Sequence, residues 1–223
     1  MPMAKNVFSD KASLIAREML AKPDREWVLR DFVGVGGLSL GMAQGVLAAM
    51  QELGCLERVK KGPASYARLA DSELLLAEWV KWYKFSVNVS YAYYTPHADF
   101  LKKFKKLIPA DKYALTLHAG ANLITGYVNT DEVHVYLRLD NWAEELPLLR
   151  QKLELKKLAQ GGNVRFIKPF YRKGAFHKTL KINGFSVVSA LQLYLDLYNF
   201  QPRGRDHAEY LKETLKRTGG LLA

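Results

Sequence analysis

Asp140 and the triplet Glu154-Leu155-Lys156 are the residues whose types and order come nearest to a catalytic set. Two carboxylates and a lysine can surround a metal and activate water against a phosphodiester. That chemistry needs the glutamate and lysine on a strand, where alternate side chains share a face. Trp142, Leu146, Leu149, Leu153 and Leu158 instead predict a helix over 141–158, which splays the pair apart. A metal-dependent nuclease is therefore the least favoured reading. His97, His118, His134, His177 and His207 show no ligand spacing, and the lone Cys55 has no Cys or His beside it, so no metal is expected. The segment Gly34-Val35-Gly36-Gly37 completes neither a dinucleotide nor a P-loop fingerprint. No catalytic residue and no cofactor are expected.

Chemistry of recognition is better represented. Ser39 reads as an N-cap, and Leu40, Ala43, Leu47, Met50 and Leu53 follow three- and four-residue steps up to Gly54, which reads as the helix stop. Helical phase then turns Gly41, Met42, Gln44, Gly45 and Ala48 away from the apolar stripe. With Ser39 they form the expected base-contacting face in the major groove of DNA. The Gln44 amide is suited to pair with the edge of adenine. No Lys or Arg lies between Arg30 and Arg58, so arginine-to-guanine contacts are excluded on this helix. Phosphate contacts are expected from Lys5 and Lys11 before it and from Arg58, Lys60, Lys61 and Arg68 after it.

The elements needed to position that face can be read around it. A first helix is predicted from an N-cap at Ser9 to about Ala21, and a second of about two turns over 30–35. Leu56 to Lys60 and Tyr66 to Leu69, separated by Lys61-Gly62-Pro63-Ala64, predict a hairpin. Helix, helix, glycine turn, capped helix and hairpin make a winged helix-turn-helix over residues 1–70. A larger mixed domain follows over 71–223. It opens with a bridging helix, Glu73 to Tyr83, capped by Ser72, and continues with strands at 87–94, 133–139, 164–170 and 177–182. Residues 113–123 turn from strand to helix near His118, Asn183-Gly184 marks a tight turn, and Ser189 caps a helix through Leu197. The fold class is α+β.

Hydrophobic residues at 49% and aromatics at 12% supply enough apolar surface for real cores. The net charge of +11 attracts polyanions. Its distribution is uneven: residues 146–223 hold 15 basic and 5 acidic side chains. Lys168, Arg172, Lys173, Lys178 and Lys181, among Phe170, Tyr171 and Phe176, suit a second nucleic-acid surface. An RNA- or protein-binding module built on this basic third is the alternative to a DNA-binding regulator. Asp196, Arg203, Arg205 and Glu209 are read as a structural corner at Pro202, with the carboxylates pairing the arginines. The run Lys102-Lys103-Phe104-Lys105-Lys106 reads as a solvated helix face. A single thiol fits a reducing compartment, no signal-peptide pattern opens the chain, and glycines interrupt the one long apolar stretch at 33–50. A cytoplasmic protein with no membrane partner is expected, its oligomeric state left open.

The segments Tyr113-Ala114-Leu115-Thr116, Ala121-Asn122-Leu123, Val133-His134-Val135-Tyr136 and 187–197, with Arg203-Gly204-Arg205 and Glu209, resemble the AbiEi antitoxins of type IV toxin-antitoxin systems. With the winged helix ahead of them, the resemblance extends over essentially the whole chain. It implies a transcriptional autorepressor binding promoter half-sites in double-stranded DNA. It also implies a C-terminal domain that counteracts a nucleotidyltransferase-like toxin without forming a stable complex with it.

Overall fold

A computed structural model describes residues 7–59 and 65–218. The first helix, α1 (Ser13–Ala21), is buried on almost every side, including Ser13, Leu14, Ile15, Ala16, Arg17 and Met19. Its entry is a turn in which Ser13 N donates to Ser9 O over 2.8 Å. The expected second helix is a 3-10 turn at Leu29–Phe32, followed by another at Val35–Gly37 with Gly36 at φ 54°. The glycines keep it from continuing as an α-helix. Helix α2 (Leu40–Glu52) is followed by the antiparallel pair β1 (Leu56–Val59) and β2 (Tyr66–Leu69), and Trp27 bridges Ala67 along the other side of β2.

Helix α3 (Ser72–Trp82) is capped by Asp71 rather than Ser72, the Asp71 side chain accepting from Leu74 N at 2.8 Å. Leu75, Leu76, Trp79, Val80 and Tyr83 are buried as the stripe requires. After it come β3 (Val89–Tyr93), α4 (Phe100–Leu107), β4 (Tyr113–Thr116), α5 (Leu117–Thr125), β5 (Val133–Leu137) and α6 (Trp142–Lys152). The chain ends in β6 (Val164–Lys168), β7 (Leu180–Ile182), β8 (Phe185–Val187), α7 (Ala190–Tyr198) and α8 (Gly204–Arg217). The six strands form one mixed sheet in the order β3-β6-β5-β4-β8-β7, with β4 parallel to β8 and β5 parallel to β6. The molecule is thus mixed α+β. Strand β4 runs straight into α5, and a Cβ at Gly120 would lie 2.9 Å from Leu115 O, so only glycine lets the helix fold back this closely.

Helix α6 stops at Lys152, short of the expected Leu158. Glu154 takes φ 56°, its N donates to Gln151 O, and Leu155 N donates to Arg150 O. This is a Schellman stop with glutamate at the left-handed position usually held by glycine, and the buried Leu155 folds back against the structure. Apolar spacing alone did not carry that signal.

Side chains of both halves of the chain form one continuous hydrophobic cluster. Polar contacts cross it as well. Arg17 of α1, fully buried, donates from Nη2 to Gln192 Oε1 at 2.6 Å and lies over the rings of Trp79 and Tyr171. The Gln192 amide in turn donates to Asp196 Oδ1 at 2.7 Å. Asp196 also accepts from Tyr83 Oη at 2.8 Å, Thr116 Oγ1 at 2.5 Å and Tyr136 Oη at 3.1 Å. Burial outweighs these donors and raises the Asp196 carboxyl to about 6.

The expected pairing of Asp196 and Glu209 with Arg203 and Arg205 does not form. Every residue of α7 from Ala190 to Leu197 is buried, so Asp196 has no solvent side from which to reach an arginine. Arg203 lies over Tyr127 and Arg205 over Tyr198, while Glu209 accepts from Tyr194 Oη at 3.1 Å. The corner itself is present between α7 and α8. At Gly204 a Cβ would lie 2.3 Å from Leu197 O.

Candidate nucleic-acid interface

Ser39 accepts from Met42 N at 3.2 Å and so starts α2 where the sequence suggests. Ala43, Val46, Leu47, Ala49 and Met50 face the core. Leu38, just before the cap, and Ala43 are both buried, at the two positions that a hydrophobic staple uses. This changes the expected stripe in its first turn. Leu38 already fills the core there, so Leu40 is 50% exposed, and Leu53 at the far end is 40% exposed. The opposite side of α2 presents Ser39, Gly41, Met42 and Gln44 to solvent, with Gly45 and Ala48 half-buried. Among the described residues, a Cβ at Gly41 would meet no atom within 4 Å.

The cations expected around this face have different surroundings. Lys11 is exposed, Arg58 is half-buried beside Trp27 and Tyr66, and Arg68 pairs with Glu57 at 2.6 Å. Lys5, Lys60 and Lys61 lie outside the described residues. One further cation was not legible in the sequence. Lys173, 137 residues away, donates from Nζ to Gly36 O in the turn that leads into α2. Asp10 holds that loop by accepting from Lys173 N at 3.0 Å and Gly174 N at 2.9 Å. Only the folded chain brings these segments together.

The five basic residues read as one C-terminal surface divide into three places. Lys173 and Lys178 are tied to the N-terminal segment, Lys178 through an ion pair with Glu18 at 2.9 Å. Lys181, on β7, donates to Ala110 O at 3.3 Å. Lys168 and Arg172 line a recess beside Trp142 on the sheet. The catalytic candidates are dispersed too. Glu154 pairs with Lys103 at 2.5 Å, Asp140 lies 3.7 Å from Lys112, and Lys156 pairs its backbone with Tyr94. Among the described residues, no group of three His, Cys, Asp or Glu side chains is placed to hold a metal ion. Cys55 is buried, and burial pushes its thiol up to about 11.

A family model described as transcriptional regulator, AbiEi antitoxin, type IV toxin-antitoxin system matches residues 68–216. The chain belongs to this family. Searches of curated proteins and of solved structures gave no match. The AbiEi match begins in β2 and takes in the six-stranded sheet and α3 to α8. Helices α1 and α2 precede it, so the reading of α2 rests on its own geometry and not on the family. No helix among the described residues is long and apolar enough to cross a membrane.

Proposed function

We propose that this AbiEi-family protein is a cytoplasmic, non-catalytic autorepressor. Residues 1–70 act as a winged helix on promoter half-sites in double-stranded DNA, with α2 in the major groove and the β1–β2 hairpin along the backbone. Residues 71–223 serve the antitoxin role, opposing a nucleotidyltransferase-like toxin without a stable complex. The supporting observation is the two-sided character of α2. One side is anchored by a cap, a staple and five buried apolar residues, and the other offers Gly41, Met42 and Gln44 with nothing bulky between them. A rigid helix with a low, open face is what close approach to base edges requires. Lys173 reaches the turn that leads into it, and Lys11 is exposed next to Asp10, which holds the Lys173 loop; both are assigned to phosphates.

Gel shifts with the DNA upstream of the coding sequence test this reading. Gln44→Ala is expected to weaken specific binding by roughly 1–3 kcal/mol and to relax sequence preference. Lys11→Ala is expected to weaken specific and scrambled duplexes alike and to lower the salt slope by about one. If both variants bind as the parent does, the placement of α2 in the groove is wrong.

A further inference from the structure

Away from α2, two adjoining recesses of about 800 and 300 Å³ open on the face of the sheet covered by α6, and both are lined by Asp140, Trp142 and Lys168. Their cations are distinctive. Arg150 and Lys157 line the larger recess, Arg138 and Arg172 the smaller, and Lys168 both. None of the five forms an ion pair with a described residue. The acid at the junction, Asp140, lies 3.7 Å from Lys112, which balances it. A local excess of cations around a concave surface raises the concentration of anions there.

The same recess holds an aromatic pair. Tyr91 of β3 and Trp142 of α6 stack at 5.6 Å between centroids with their planes 21° apart, and Lys168 Nζ stands 5.8 Å from the Trp142 centroid. Both rings keep partial exposure. Rings set among cations fit a ligand that is flat on one side and anionic on the other. Single-stranded nucleic acid has that chemistry: an unpaired base stacks on the ring while flanking phosphates meet lysine and arginine. Duplex DNA hides its base faces in the stack and can use only the cations.

We propose that this groove is a binding site for single-stranded nucleic acid, separate from the α2 face. Trp142 and Tyr91 supply the stacking platform and Lys168, Arg172, Arg150 and Lys157 the phosphate contacts. The site does not depend on the DNA reading of α2. RNA and DNA strands share the recognised chemistry and are told apart by measurement.

Fluorescence anisotropy of the full chain with labelled mixed-sequence 12-nucleotide RNA and DNA strands tests the proposal, with a promoter duplex as competitor. The double variant Lys168→Glu/Arg172→Glu, altering solvent-reaching side chains, is expected to bind the single strand at least tenfold more weakly and with a shallower salt slope. Trp142→Leu is expected to weaken it by roughly tenfold, and Gln44→Ala to leave it unchanged. A thermal melt confirms that each variant is folded. Tighter binding of RNA than of DNA identifies contacts to the 2′-hydroxyl and the natural ligand as RNA. No binding of either strand, binding unaffected by the groove variants, or a single strand lost in parallel with the duplex on Gln44→Ala overturns the proposal.

Discussion

At the scale of single residues, the first turn of α2 is apolar, which is unusual for the DNA-facing surface proposed for it. Leu40 and Met42 are 50% and 37% exposed, and no Lys or Arg occurs between Arg30 and Arg58. Water is a poor partner for these side chains, whereas the C5-methyl of thymine is a good one. With Gln44 beside them as the proposed adenine reader, the proposal predicts a preference for A·T-rich half-sites. Replacing thymine by uracil in the bound duplex removes only the methyl group. Anisotropy should show weaker binding at one or two positions per half-site and no change elsewhere; uniform indifference to uracil would remove Leu40 and Met42 from the contact. The exposure of Met42 and Gln44 was legible from the cap at Ser39 and the helical phase. Leu40 was misplaced into the core because a sequence does not say which of two neighbouring leucines, Leu38 or Leu40, fills the space ahead of the first turn.

At the scale of elements, α1 ties the N-terminal segment to the family's sheet. Arg17 reaches Gln192, and Gln192 reaches Asp196, so a helix of the N-terminal segment joins a polar network at the centre of the sheet. Gln192→Leu takes the acceptor from a buried cation and one donor from a buried carboxyl. It is expected to cost about 3 kcal/mol, read from the urea midpoint at unchanged slope. A loss below about 1 kcal/mol would mean that the ring faces of Trp79 and Tyr171 suffice for Arg17. The order of most elements was legible, because caps, glycines and apolar periods are local. The network was not. Arg17 stood out by neither type nor spacing, and Asp196 was matched with arginines near it in sequence. A helix buried all round, such as α7, leaves no polar side from which to judge direction.

At the scale of the whole molecule, the single apolar cluster spans both halves of the chain, so acid stability is a property of the entire fold. His134 is 1% exposed, both ring nitrogens lack a hydrogen-bond partner among the described residues although Nε2 lies 3.7 Å from Glu132, and burial lowers its pKa to about 3. Unfolding restores an ordinary imidazole near 6.5, so the unfolded chain takes up a proton that the native chain refuses. Stability therefore falls as pH drops from about 6.5 towards 3. His207, lowered to about 4 by burial and the neighbouring His118, adds in the same direction. Asp196 opposes them, since its raised pKa makes the native state lose stability as pH rises from about 4 to 6. His134→Phe should flatten the acid limb of a melting profile, gaining roughly 2 kcal/mol relative to the parent at pH 5. An unchanged pH slope would show that other groups set it. Charge, too, is a whole-molecule property here. The excess in the C-terminal third looked misplaced for a DNA-binding N-terminus, yet folding brings Lys173 to the turn before α2 and separates Lys168 and Arg172 into a groove of their own.

The placement of α2 against duplex DNA is tested most directly by Gly41→Glu. A Cβ at this position meets no atom of a described residue within 4 Å, and a glutamate in the first turn favours both helix propensity and the helix dipole. The variant should melt no lower than the parent. Its carboxylate would then stand where the proposal has α2 meet the DNA. Anisotropy with the promoter duplex should show binding reduced at least a hundredfold in a fully folded protein; binding equal to the parent's would place the DNA somewhere other than on this helix.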